Sequence, residues 1–285
     1  MLKKLSIVAI HGIGSFKERP GSSDLLSFSK DLERLVRERV DRHLPNHFRE
    51  TVAWREIFYS DITEKNQNAY FDRVKSGLNY DGLREFVIKN LGDAAAYHNA
   101  PGDPNHDVYS DIHERCDTVL KELEDDTVPG APLIVLAHSM GGHVFSDHIY
   151  DRQKDARLTV PRIANCNTIA AFLTFGCNIP LFTFAYRYDQ IYCIKDPGSG
   201  LPNSMRRAPW WFNVYDKDDV LGYPLANHGV GYKELSDAGG LVDKTINSGS
   251  FFTSWNPLSH NGYWRDADFI DEVATVVQST IEALQ

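Results

Sequence analysis

The sequence predicts an α/β protein with a mostly parallel sheet covered by helices on both faces. Two observations carry that expectation. Leu5–Ile10 (LSIVAI) and Pro132–Ala137 (PLIVLA) are short, unbroken apolar runs, the pattern of strands buried on both sides. Between and after them, apolar residues recur at helical spacing. Strands that alternate with amphipathic helices build βα units.

Taken in order, Leu5–Ile10 reads as the first strand and ends in a Gly-rich turn. After Pro20-Gly21, with Ser22-Ser23 as the candidate cap, Leu25, Phe28, Leu32, Leu35, Val36 and Val40 mark a helix that Pro45 closes. Thr51–Tyr59 reads as a second strand. Ser60–His106 is polar and less regular, with a helical patch at Leu83, Phe86, Val87 and Leu91, and ends in the loop Asn99–Pro104. Ile112, Cys116, Val119, Leu120 and Leu123 mark a helix, and Gly141–Tyr150 should form another after the strand Pro132–Ala137. Thr168–Gly176 and Trp210–Tyr215 read as strands, Leu241–Ile246 as a weaker one, and Asp266–Leu284 as a closing helix. No repeat or linker divides the chain, so residues 1–285 read as one domain with 60–106 as an insertion.

Composition narrows the function. With 30 basic against 39 acidic residues, the net charge of −9 offers no basic footprint for nucleic acid or an anionic membrane. The apolar N-terminal run meets His11-Gly12 without a cleavage site, and nothing approaches a membrane-spanning length. Cys116, Cys166, Cys177 and Cys193 form no C-x-x-C pair, so free thiols are expected, and with them a cytoplasmic location.

Ala137-His138-Ser139-Met140-Gly141-Gly142 follows a buried strand and precedes a helix. That is the setting of a nucleophile elbow, a turn so tight that the residues two before and two after the serine must be small. The serine would stand at a helix N-terminus, where backbone N–H groups favour developing negative charge. His11-Gly12-Ile13-Gly14 also ends a buried strand, and its N–H groups can face the same space. Neither G-x-G-x-x-G nor a P-loop is present, so an oxyanion loop explains it better than a phosphate loop.

A serine nucleophile needs an acid and a histidine after it in the chain. Beyond position 215 only His228 and His260 qualify, and His260, just before the last helix, is the expected base. Asp216, Asp218 and Asp219 follow the strand Trp210–Tyr215. Asp218 is preferred because Asp-x-Val would return Val220 to the core while the carboxylate faces the site; Asp219 and Asp216 remain open.

HGIG together with AHSMGG resembles the small bacterial lipases of the α/β-hydrolase superfamily, which likewise carry Ala at the first small position. Leu91–Tyr97 (LGDAAAY), Thr174-Phe-Gly-Cys177 and Ser259–Trp264 (SHNGYW) resemble bacterial serine esterases. The resemblance implies an α/β-hydrolase fold and an ester-cleaving serine hydrolase without cofactor or metal. It also implies oxyanion-hole N–H groups from Ile13 and Met140. The chain departs in being much longer than a minimal lipase, with no counterpart there for Ser60–His106.

His138, His143 and His148 do not share a helical face and H-E-x-x-H is absent, so zinc is not expected. Leu181–Tyr188 (LFTFAYRY) reads first as ordinary packing, with an acyl-pocket lining as the alternative; Phe251, Phe252 and Trp255 are equally ambiguous. Part of Ser60–His106, with Leu181–Tyr188, is expected to cap Ser139. The expected substrates are small esters or acyl compounds. A non-catalytic binding module on the same fold, or an amidase, thioesterase or acyltransferase using the same residues, are the rival readings.

Overall fold

The computed structural model describes residues 1–12, 26–74, 92, 94–97, 108–246 and 259–285, the side chains of 64–68, 71 and 259 excepted. Among them, β1 (Leu5–Ile10), β2 (Val52–Ile57), β3 (Leu133–His138), β4 (Ile169–Phe175), β5 (Trp211–Asp216) and β6 (Leu241–Ile246) form one sheet in the order β2-β1-β3-β4-β5-β6. Every neighbouring pair is parallel.

The central strands β1, β3 and β4 are almost wholly apolar because both faces are covered. Leu5, Ile7 and Ala9 of β1 point to one face, where helix α1 (Lys30–His43) brings Leu32, Val36 and Val40. On that same face α7 (Ala267–Ala283) contributes Phe269, Val273, Val277 and Ile281. Val8 and Ile10 point the other way. They meet Ile112, Cys116, Leu120 and Leu123 of α4 (Val108–Asp126) and Val144, Phe145 and Ile149 of α5 (Met140–Lys154). The edge strands are more polar. β2 carries Arg55, which is buried but paired to Glu122 and Asp126, and β6 is only half-buried. Polar edges of this kind discourage further strand pairing.

Two elements differ from the sequence expectation. α1 begins at Lys30 rather than near Leu25, which lies with Ser22 and Ser23 outside the described residues. The Glu56 carboxylate accepts from the N–H and hydroxyl of both Ser27 and Ser29, at 2.6–2.8 Å, and holds that stretch out of the helix. The first part of Ser60–His106 is helical, α3 (Ser60–Val74), and packs against α4. The patch Leu83–Leu91 lies outside the described residues. α2 (His47–Thr51) and α6 (Val230–Asp237) are short helices. No described helix is long and apolar enough to cross a membrane.

Leu181–Tyr188 is not ordinary packing. Phe182 stacks on His143 with centroids 4.0 Å apart, but Phe184 is 76% and Tyr186 61% exposed.

Candidate active site

From β1 the chain crosses to β2 on one side, and from β2 it returns to β3 on the other. Such a reversal leaves a crevice at the carboxyl ends of the two strands flanking it, here β1 and β3. His11-Gly12 leave β1 at that point and Ser139 leaves β3.

Ser139 joins β3 directly to α5 with φ 54° and ψ −126°, a left-handed conformation that costs a non-glycine residue about 1–3 kcal/mol. Its N–H donates to Phe175 O at 2.9 Å. The tightness of the corner explains the small residues. A Cβ on Gly12 would fall 2.4 Å from Ser139 Cβ and 3.0 Å from its Oγ; one on Gly141 would fall 2.5 Å from His11 O. Met140 is the first residue of α5, where an N–H has no intrahelical acceptor. Ile13 lies outside the described residues.

The carboxylate beside His260 is that of Asp219, one residue on from the expected Asp218. His260 Nδ1 lies 2.8 Å from Asp219 Oδ2, whereas Asp218 is exposed and its N–H donates to Asp216 Oδ1. The preference for Asp218 assumed that strand alternation continues to Val220. Instead β5 stops at Asp216, and a turn closed by Asp219 N–H to Asp216 O swings Asp219 inward and leaves Val220 70% exposed. Burial alone would raise the Asp219 carboxyl. Hydrogen bonds from His260, Leu221 N–H and Tyr263 outweigh it and hold the group below its ordinary range.

An ionised Asp219 fixes the tautomer of His260: Nδ1 donates, so Nε2 carries the lone pair. Nε2 is buried with no hydrogen-bond partner among the described residues. The adjoining Cε1 lies 3.0 Å from where a Gly176 Cβ would stand, so His260 and Ser139 abut the same Phe175–Gly176 corner. His228 is elsewhere, with Nε2 2.7 Å from Thr183 Oγ1.

Two further histidines, to which the sequence assigned no such role, support the corner. His138 Nε2 donates to His260 O at 2.7 Å and its ring lies 4.7 Å from the His260 ring. His11 donates from Nδ1 to Gly12 O, accepts at Nε2 from Tyr59 N–H at 3.1 Å, and stacks on Tyr59. That ties the start of the Gly-rich loop to the end of β2. No family model matches the chain, and no curated protein matches it. The site therefore rests on its residues and their geometry.

Among the described residues no cluster of His, Cys, Asp or Glu could hold a metal ion. His143 lies beside Asp147 and His148 beside Asp117, in separate pairs. A cavity of about 400 Å³ is lined by Ser27, Phe28, Asp31, Asn261, Trp264 and Arg265, but by none of Ser139, Asp219 and His260.

The buried histidines set a pH dependence of stability. Burial pushes His11 down to about 4 and His148 to about 3, and pushes His138 well below its ordinary value. A histidine lowered in the folded state stabilises fully above its unfolded value near 6.5, and that contribution is lost as pH falls through it. Asp147, raised by burial to about 7, acts oppositely. The lowered histidines outnumber the raised Asp147, so unfolding takes up protons on balance near pH 5 and stability falls with pH there. Urea midpoints should accordingly be level above pH 7 and drop steeply between pH 6 and 5; a flat profile would contradict this.

Proposed function

We propose that the chain is a serine hydrolase of the α/β-hydrolase fold that cleaves carboxylic esters through an acyl-enzyme on Ser139. One observation carries the reading. A histidine oriented by a buried carboxylate presents an unpartnered Nε2 at the corner where a strained serine leaves the nucleophile strand. The six-stranded parallel sheet and the chain order Ser139, Asp219, His260 accord with it.

In this mechanism His260 Nε2 takes the Ser139 proton as Oγ attacks the acyl carbonyl. The oxyanion is held by the N–H of Met140 and, on the family resemblance, that of Ile13. His260 then protonates the departing alkoxide, and the sequence repeats with water to release the acid. Asp219 stays ionised throughout and stabilises the imidazolium. No cofactor or metal takes part. A cap belongs to the same proposal: α3 starts at the carboxyl end of β2 beside His11, and the exposed aromatics of Leu181–Tyr188 follow β4 at the same end of the sheet.

The test is active-site labelling. A fluorophosphonate should add stoichiometrically to the peptide carrying Ser139, and p-nitrophenyl esters should turn over faster than the matching anilides. A folded protein that takes up no label would point to a binding module; faster anilide cleavage would point to an amidase.

A further inference from the structure

We infer that Tyr263 is a positioning residue that sets the basicity of His260 by sharing the Asp219 carboxylate with it. The inference rests on the hydrolase reading for its meaning in turnover, though not for its geometry. Ser259–Arg265 forms a 3-10 helix, in which residues three apart eclipse one another. His260 and Tyr263 are three apart, so both side chains reach the same acceptor. Nδ1 of His260 and the hydroxyl of Tyr263 each donate to Asp219 Oδ2 at 2.8 Å. The other oxygen, Oδ1, accepts from Leu221 N–H at 2.9 Å.

The phenol is also an acceptor: Asp216 N–H donates to it at 2.8 Å. Accepting there polarises the O–H and strengthens its donation to Asp219. A single buried oxygen thus links the end of β5, the turn that holds Asp219 and the helix that holds His260. Gly176 and Gly222 leave just enough room for the arrangement. A Cβ on Gly222 would fall 2.7 Å from Asp219 Oδ2 and 3.1 Å from Tyr263 Oη; one on Gly176 would fall 3.0 Å from both the Tyr263 ring and His260 Cε1.

The chemical consequence has a definite sign. Each donor on Oδ2 draws off negative charge that would otherwise stabilise protonated His260. Removing the phenol leaves the carboxylate wholly to the imidazole, which becomes harder to deprotonate. The other titratable groups facing this pair do not mask the effect. His138, tilted against the His260 ring, is held neutral by burial, and Asp216 turns its carboxylate to Asp218 N–H.

The experiment is an NMR titration of ¹⁵N-histidine-labelled protein, with Ser139 labelling followed in parallel. In Tyr263→Phe the His260 midpoint should rise by about half to one pH unit, a fraction of what a hydrogen bond to a charged group contributes, because Leu221 N–H still engages the carboxylate. The acid limb of kcat/KM should move with it, kcat should fall about tenfold and KM should stay unchanged. A ring-fluorinated tyrosine at 263, a stronger donor that keeps the native packing, should move the midpoint down. On an Asp219→Asn background, Tyr263→Phe should no longer shift it. An unmoved or lowered midpoint in folded Tyr263→Phe overturns the inference, as does an upward shift with the fluorinated residue. Failure of the hydrolase reading shows separately, as absence of Ser139 labelling in the wild-type protein while the His260 titration still responds to position 263.

Discussion

Ser139→Ala is expected to abolish ester hydrolysis, lowering kcat by on the order of 10⁶ with the fold intact. The change removes one oxygen from a serine that makes its backbone contact, N–H to Phe175 O, independently of its side chain. Fluorophosphonate labelling should vanish with activity. Ser139→Gly should be equally inactive and informative about strain. Glycine enters φ 54° freely, and this relief of about 1–3 kcal/mol is set against about 0.5–1 kcal/mol of added backbone entropy in the unfolded chain. The glycine variant should therefore unfold at the same urea concentration as the alanine variant or a higher one. Residual hydrolysis near the wild-type rate in either protein would remove Ser139 from the mechanism. A glycine variant markedly less stable than the alanine one would contradict the strain.

What could be read from the sequence depended on whether local pattern or long-range contact decided the matter. β1, β3 and β4 declare themselves because strands buried on both faces must be apolar at every position, and LSIVAI, LIVLAH and IAAFLTF are nearly so. The corner at Ser139 was legible for a steric reason: only small residues fit at Gly141, and a turn between a buried strand and a helix needs them. The start of α1 was not legible, because Glu56, 27 residues from Ser29, decides it. α3 was missed because SDITEKNQNAYFDRV shows little apolar periodicity. Tyr263 was in plain view three residues after His260, but its spacing acquires meaning only once that segment is known to be a 3-10 helix.

The choice among Asp216, Asp218 and Asp219 was the point at which periodicity misled, and it yields the sharpest comparison. Asp219→Asn should lower kcat by on the order of 10⁴, the magnitude seen for the equivalent change in serine proteases. The amide can donate to His260 Nδ1, which moves the imidazole proton to Nε2 and deprives Ser139 of its base. Asp218→Asn should leave kcat within a few-fold of wild type, since that side chain is exposed and its N–H, not its carboxylate, contacts Asp216. Fluorophosphonate labelling should slow in step with kcat in Asp219→Asn, because it requires the same activated oxygen. KM should change little in either variant, as neither carboxylate is called on to bind substrate. A crippled Asp218→Asn beside an active Asp219→Asn would mean that the 2.8 Å contact between Asp219 and His260 is not the one that serves turnover.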